Sequence, residues 1–382
     1  MKVLILGGDG YLGWPTAMNL SANGHEVAVV DNYLRRELMM KEDVEPLYPV
    51  DNLHDRVRNW HKVSGKKIEL YIGDLNQWDF IAEVFKTFQP EAIVHYAEQP
   101  SAPYSMRNRE AATMTLQNNI GVTANVIFAV REFTPDAHIV KLGTMGEYGT
   151  PNIDIEEGWL HVDHNDRSQK FLYPRQAGSL YHTTKIMDTD LLWYYIRMWD
   201  LRVTDLMQGP VYGIFTDESE GHDNLLTFLS YDEIFGTVLN RFIVQAVAGI
   251  PLTVYGKGGQ TRGYLNIKDT LNCIRLSVEN PAEKGELRIF NQFTETFSVN
   301  DLAEKVTSAG KTIGLDVKTQ TIENPRKELE EHYYNPKNTG LIELGLKPHF
   351  LTDKTLVAMM KKVSEYKGNI MEHKIFRGTK WD

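Results

Sequence analysis

Tyr181 and Lys185 stand four residues apart in the stretch Ser179-Leu180-Tyr181-His182-Thr183-Thr184-Lys185. Leu180, Thr184, Met187 and Leu191 recur at helical spacing, so the run predicts a helix, and residues four apart share one helix face. An ammonium beside a phenol favours the phenolate and draws a pKa of ~10 toward neutrality. Tyr181 would then act as general base on an alcohol hydroxyl, tuned by Lys185. Taken alone, a Tyr–Lys pair on a helix is more often a solvated surface pair. It gains meaning only if a nucleotide-binding fold stands upstream.

The N-terminal stretch predicts such a fold. Lys2-Val3-Leu4-Ile5-Leu6 has the apolar, β-branched character of a buried parallel strand. Gly7, Gly10 and Gly13 follow as G-x-x-G-x-x-G, and a helical stretch runs on through Asn23. Glycines let the backbone approach a pyrophosphate, which the helix N-terminus then stabilises. A second strand, Glu26 to Val30, ends on Asp31, 18 residues after Gly13. A carboxylate there accepts the ribose hydroxyls and repels a 2′-phosphate, which favours NAD over NADP. Arg35 and Arg36 leave a small counter-signal, or else meet the pyrophosphate or a carboxylate. Further strands at 68–72, 92–97 and 139–143 alternate with helical runs, and Asp74 follows the first of these where adenine would lie. The expected fold is α/β, a Rossmann-type doubly wound parallel sheet with a smaller, mixed α/β C-terminal substrate-binding domain. Residues 1–207 form the NAD-binding domain, with a charged insertion at 33–66; residues 208–382 mainly form the substrate domain, which can interleave with the first.

The bulk properties exclude several classes. The 382 residues are 42% hydrophobic and 24% charged, ordinary for a globular chain. The net charge of −10, with no Lys/Arg-rich run, argues against nucleic acid and anionic membrane as partners. The single cysteine, Cys273, excludes an intramolecular disulfide and fits a reducing compartment. The apolar run before Gly7 is too short for a signal-peptide core, and no run approaches a transmembrane span. A cytoplasmic location is expected. His95, His161 and His164 form no convincing ligand set, so no metal is expected.

With the glycine turn, Asp31, Asp74, Thr144 and Tyr181-x-x-x-Lys185 in this order, the chain resembles the extended short-chain dehydrogenase/reductases, which act largely on nucleotide sugars. The resemblance implies a catalytic trio of Thr144, Tyr181 and Lys185. It also implies an NAD site built from Gly7, Gly10, Tyr11, Leu12, Gly13, Asp31, Asn32, Arg35, Arg36, Asp74, Leu75, Ala97, Gln99, Asn118, Tyr181, Lys185 and Gln208. In the 4,6-dehydratases of that family an Asp-Glu pair follows the Thr and moves the protons for loss of water. Here Met145 and Gly146 stand in those places and cannot. The stretches Thr144–Gly158, Ser101-Ala102-Pro103-Tyr104-Ser105-Met106, Tyr255–Tyr264, and Asn324-Pro325-Arg326 with Glu331–Asn335 instead resemble the sulfoquinovose synthase branch. One departure is Pro100, where that branch generally carries Arg; Arg107 or Arg109 could stand in for it, or the site could handle the anion differently.

That resemblance implies UDP-glucose and sulfite as substrates and a recycled NAD. Tyr181 would take the 4-hydroxyl proton as hydride leaves C4; the ketone acidifies C5, water leaves across C5–C6, sulfite adds to C6, and the hydride returns. The C5/C6 protons need a carrier. His182 is the first choice, because an ordinary histidine pKa near ~6.5 suits transfer in both directions; Glu147 is the second. The bland alternatives are a packing histidine and a glutamate serving as a salt bridge or loop cap. The expected substrate contacts are Ser101, Thr144, Met145, Gln208, Val211, Arg241, Tyr255, Gln260, Arg262 and Arg326, with Arg262 and Arg326 on the diphosphate. Trp193, Tyr194, Tyr195 and Trp199 suit a core or a dimer seam, and relatives suggest a homodimer. Two rival readings stay open: another NAD-dependent UDP-sugar enzyme such as a 4-epimerase, and a non-catalytic NAD-binding protein.

Overall fold

Alternation along the first strand sets the architecture. In the computed structural model, which describes residues 1–324 and 333–376, β1 (Lys2–Leu6) sends Leu4 and Leu6 into one apolar core and Val3 and Ile5 into another. β2 (Glu26–Asp31) does the same, with Ala28 and Val30 on one side and Val27 and Val29 on the other. A sheet apolar on both faces must be covered on both, and helices cover it here. α1 (Gly13–Ala22) contributes Trp14, Ala17 and Met18 to the second core.

The segment 33–66, read from sequence as an insertion, folds into α2 (Leu34–Lys41) and α3 (Leu53–Ser64). α3 is the crossover that the parallel step from β2 to β3 (Ile68–Ile72) requires. Asn52 caps it by accepting from the Asp55 amide at 3.1 Å, and Leu53 and Trp60 bury its inner face. α4 (Trp78–Phe88), β4 (Ala92–His95), α5 (Ala102–Ser105), α6 (Arg109–Phe133) and β5 (His138–Thr144) continue the winding. A hairpin of β6 (Trp159–His164) and β7 (Arg167–Leu172) precedes α7 (Leu180–Trp199), which leads into β8 (Arg202–Gln208).

Beyond β8 the chain makes β9 (Val211–Tyr212), α8 (Val238–Ala248), β10 (Leu252–Tyr255), β11 (Thr261–Asn266) and α9 (Ile267–Glu279). β12 (Leu287–Gln292) then returns to the main sheet and pairs with β8 in parallel, Leu287 opposite Val203 through Gln292 opposite Gln208. The seven-stranded order is β12-β8-β5-β4-β1-β2-β3. The direction of winding reverses between β1 and β4, which opens a crevice at their carboxyl ends. β13 (Glu295–Ser298), α10 (Val299–Thr312), β14 (Thr319–Ile322), α11 (Gly340–Glu343) and α12 (Asp353–Glu365) complete the chain's main elements. A separate core of Phe242, Ile243, Leu302, Val306, Leu356 and Met360 holds α8, α10 and α12 together. Among the described residues no helix is long and apolar enough to cross a membrane.

Candidate active site

The crevice at the switch point opens into a cavity of about 520 Å³ that runs from the glycine turn to the C-terminal lobe. Gly7 sits at φ +90°, and a Cβ there would lie 2.8 Å from the Tyr96 carbonyl carbon. A Cβ at Gly13 would meet the Gly7 oxygen at 1.9 Å. Both positions therefore exclude side chains, and the turn stays tight against the sheet. Asp31, at the end of β2, accepts from the Asp9 amide at 2.9 Å and the Tyr33 amide at 2.6 Å. Burial pushes its pKa up to about 6. Gly7, Gly10, Tyr11, Leu12, Gly13, Asp31, Asn32, Arg35, Asp74, Leu75, Ala97 and Asn118 all line the cavity. A glycine cradle beside a carboxylate on a strand end fits a dinucleotide.

Three residues expected at the cofactor lie elsewhere. Arg36 is gripped by Asp9, with Nε to Oδ2 at 2.6 Å and Nη2 to Oδ1 at 2.8 Å, and also donates to the Val50 and Asp51 carbonyls. It is spent inside the protein, which leaves Arg35, on the cavity wall, as what remains of the counter-signal for a 2′-phosphate. Gln99 is fully buried, donating to Thr115 Oγ1 at 2.9 Å and to the Ser101 carbonyl, and it shapes the loop after β4. Lys185 is 2% exposed and is turned against Glu98 instead of forming part of the cavity wall.

The first turn of α7 is held from several sides. Ser179 caps it, accepting from the His182 amide at 3.2 Å. Ser105 Oγ accepts from the Tyr181 amide at 3.1 Å, and Met106 Sδ receives the Leu180 amide. The Ser101–Met106 stretch thus anchors the start of α7, a role that a strand-and-motif reading had no means to see. Thr184 Oγ1 donates to the Tyr181 carbonyl and accepts from Asn119 at 3.0 Å. Beneath the helix Lys141 reaches the Lys185 carbonyl at 3.1 Å, Thr189 at 2.7 Å and Asp205 at 3.0 Å.

Tyr181, His182, Thr144, Met145 and Gly146 meet on one wall of the cavity. Part of the Tyr181 ring stays open to the cavity, but protein encloses it, and burial, reinforced by Glu98, raises its phenol pKa. This reverses the expectation of a lowered value: the charge of Lys185 is met by Glu98 and lies 3.8 Å from Asp188. His182 Nδ1 lies 3.0 Å from Ser179 Oγ, whose oxygen already accepts the helix amide. A Cβ on Gly146 would come within 2.4 Å of His182 Nε2, so the bare glycine makes the space the imidazole occupies.

Glu147 does not reach the cavity. It is fully buried, accepts from the Thr144 amide at 3.1 Å in a capping box, and lies 3.5 Å from both Lys141 and Arg175. The loop-cap reading holds for it, and its place as a proton carrier falls. Gln208 stands beside Thr144 across the β5–β8 pair. Ser101, Gln208, Val211, Arg241, Tyr255, Gln260 and Arg262 line the far half of the cavity. Ser101 is turned toward the Ile234 carbonyl, and Arg241 lies over the Tyr255 ring at 5.0 Å. Arg326 lies outside the described residues. Arg107 pairs with Glu42, and neither it nor Arg109 borders the cavity, so neither replaces the arginine missing at Pro100. Among the described residues the arginines on the wall are Arg35, Arg241 and Arg262. Buried polar atoms without a hydrogen-bond partner, Gln208 Oε1, Gln260 Oε1, Arg241 Nε and Glu98 Oε2, gather on residues around this cavity. Polar groups left so on a cavity wall fit a polar ligand.

Sequence reasoning missed Glu98 and Tyr334 as site residues; both border the cavity, as does Asn240 beside Arg241. Tyr334 accepts from the Gly263 amide at 2.9 Å and so ties the motif around it to the Arg262 loop.

Comparisons agree with this geometry. The chain is 50% identical over 380 residues to the chloroplastic UDP-sulfoquinovose synthase of Spinacia oleracea, a match spanning all of this chain and 79% of that protein. It is 44% identical over 384 residues to the UDP-sulfoquinovose synthase of Sulfolobus acidocaldarius, spanning all of this chain and 98% of the relative. The structure of UDP-glucose-4-epimerase from Stenotrophomonas maltophila with bound NAD and formylated UDP-arabinopyranose superposes with a TM-score of 0.72 at 18% identity, over 96% of this chain and 98% of that one. Residues 3–291, from β1 to the strand that closes the sheet, match the profile of one family throughout. The glycine turn, Asp31 and the Thr144–Tyr181 wall thus fall within a single match, and the chain belongs to the NAD-dependent epimerase/dehydratase family.

Proposed function

We propose that this protein is a UDP-sulfoquinovose synthase, which makes UDP-sulfoquinovose from UDP-glucose and sulfite through a 4-keto-5,6-ene sugar. The observation that carries the reading is the wall of Thr144, Gly146, Tyr181 and His182. It sets an imidazole in the same cavity as the Tyr181 phenol, with no carboxylate at the two positions after Thr144. The full-length likeness to two synthases of that name supports it.

NAD, held by the Gly7–Gly13 turn and Asp31, supplies oxidation at C4 and the reversal of that step at the end of the cycle. Tyr181 exchanges the proton of the 4-hydroxyl, and Thr144 hydrogen-bonds the same oxygen. His182 removes the C5 proton, made acidic by the neighbouring ketone, and returns a proton as the C6 hydroxyl leaves. Ser179 Oγ, with a lone pair beyond the one the helix amide uses, accepts from Nδ1–H and so leaves Nε2 as the basic nitrogen toward the sugar. Sulfite adds to C6 as a soft nucleophile that needs no activation, and the proton it brings as bisulfite goes to C5, replacing the one lost with water. Arg241 and Arg262 bind the diphosphate, Arg262 as part of the Tyr255–Tyr264 motif. The sulfur arrives as free sulfite or from a donor protein.

We place the chain in the cytoplasm as a homodimer. Exposed Phe128, Tyr194 and Met198 on α6 and α7 form the seam, with Phe128 stacked edge-on to Tyr195 and Trp199.

Mass spectrometry of the NAD-loaded protein with UDP-glucose, with and without sulfite, tests the reading. A UDP-linked sulfonate that forms only with sulfite and is lost in Tyr181→Phe is the expected outcome. UDP-galactose as product, or no turnover, overturns it in favour of a 4-epimerase or a binding protein.

A further inference from the structure

We infer that Phe376 is a positioning residue for the substrate: it seats the Tyr255 ring, and that ring carries Arg241 at the diphosphate. The inference rests on the proposed role of Arg241 there. Tyr255 ends β10 on the cavity wall. Arg241 stands in the first turn of α8, with its guanidinium carbon 5.0 Å from the centre of the Tyr255 ring. Phe376 does not border the cavity, yet its ring lies 6.5 Å from that same tyrosine, the two planes tilted by 52°. Both separations fall within the range of ring–ring and cation–ring attraction.

The chain after α12 forms a clasp that brings Phe376 to this place. Asn369 donates to the Leu47 carbonyl at 3.1 Å, and the Met371 amide donates to the Tyr231 hydroxyl at 3.0 Å. In α13 (Glu372–Ile375) the Lys374 carbonyl accepts from the Glu233 amide at 3.0 Å, while Lys374 Nζ reaches Asp43 at 2.7 Å and the Glu42 carbonyl at 3.2 Å. Ile375 is 1% exposed, in a core shared with Phe242 and Ile243 of α8, the helix that bears Arg241. Phe376 itself is 41% exposed. Its backbone is therefore held firmly, while its ring fills no core.

The consequence is one of order. A long side chain surrenders rotamer freedom when it grips an anion, and a guanidinium already resting on an aromatic face has surrendered part of it beforehand. Phe376 limits the rotation of Tyr255 and so keeps that face in place. With residue 376 truncated, Tyr255 turns more freely and Arg241 meets the diphosphate less prepared.

UDP alone, titrated by calorimetry into the NAD-loaded full-length protein, provides the test. No sugar or sulfite is present, so the result is independent of the sulfonate assay. Phe376→Ala should weaken UDP binding about three- to tenfold, the span that one aromatic pair contributes, and leave NAD affinity unchanged. In an Arg241→Ala background the same truncation should add no further loss, because the two residues act in series. Unchanged UDP affinity in Phe376→Ala, with Arg241→Ala weakened, overturns the inference and leaves the diphosphate role standing. Unchanged affinity in Arg241→Ala removes that role and the inference with it. An equal loss of NAD affinity, or a full additional loss in the Arg241→Ala background, also overturns it: Phe376 would then serve the fold at large or act without Arg241. If Phe376→Ala does not fold, Phe376→Leu carries the test with a smaller expected loss, and wild-type UDP affinity again overturns the inference.

Discussion

Replacing Gly146 by alanine is the sharpest way to separate the two chemistries of the cavity. The new methyl group would stand 2.4 Å from His182 Nε2 and 2.6 Å from Cδ2. Ordinary contact begins near 3.4 Å, so the imidazole must retreat by about 1 Å, and a displacement of that size costs on the order of 10²-fold in a positioned proton transfer. That corresponds to roughly 3 kcal/mol in the barrier, within the 10²–10⁴ span of general acid–base contributions. The three atoms nearest the methyl all belong to the His182 ring, so oxidation at C4 should continue. Two rates are measured on the NAD-loaded variant: formation of UDP-linked sulfonate by mass spectrometry, and absorbance at 340 nm on mixing with UDP-glucose alone. The sulfonate rate should fall about a hundredfold while the absorbance change keeps its wild-type rate. A wild-type sulfonate rate would remove His182 from the C5/C6 step. An equal loss in both rates, with NAD still bound, would show that Gly146 serves the wall as a whole.

Asp31 gives a pH dependence. Its carboxyl is pushed up to about 6, and the ionised form is the one that accepts ribose hydroxyls, so proton and cofactor compete. NAD affinity measured by calorimetry should be flat above that pH and weaken by roughly tenfold for each unit below it; constant affinity down to pH 5 refutes the assignment. Asp9→Ala would strip the counter-charge from Arg56, which has no exposure, and from Arg36. Urea denaturation should register a loss of about 3–5 kcal/mol, and a loss below about 1 would mean the arginines find other partners.

What the sequence revealed was local in origin. Unbroken apolar runs at 3–6 and 27–30, glycines three apart and a Tyr–Lys pair on one helix turn each carry their meaning within a few residues. The errors arose where meaning depends on a distant partner. Arg36 read as a ligand group because nothing nearby marks Asp9, 27 positions earlier, as its mate. Glu147 read as an acid because its burial against Lys141 and Arg175 is a tertiary fact. The α3 crossover was hidden in a charged stretch whose apolar face is narrow, Leu53 and Trp60 with Arg56 buried between them. Glu98 could have been found: a carboxylate just past the end of a parallel strand already located points to the ligand crevice.

The return of β12 to the main sheet bears on how the molecule comes into being. Its register with β8 spans six residue pairs, and Asn291 within it accepts from the Tyr148 hydroxyl at 2.9 Å while donating to the Lys337 carbonyl at 2.8 Å. During synthesis the first six strands emerge long before residue 287, and until then β8 presents an open edge of backbone donors and acceptors. The nascent chain therefore waits, with an adhesive margin exposed, while some eighty further residues are made. Cutting the gene at the apparent lobe boundary after Gln208 would leave both fragments lacking a strand that only the other can give.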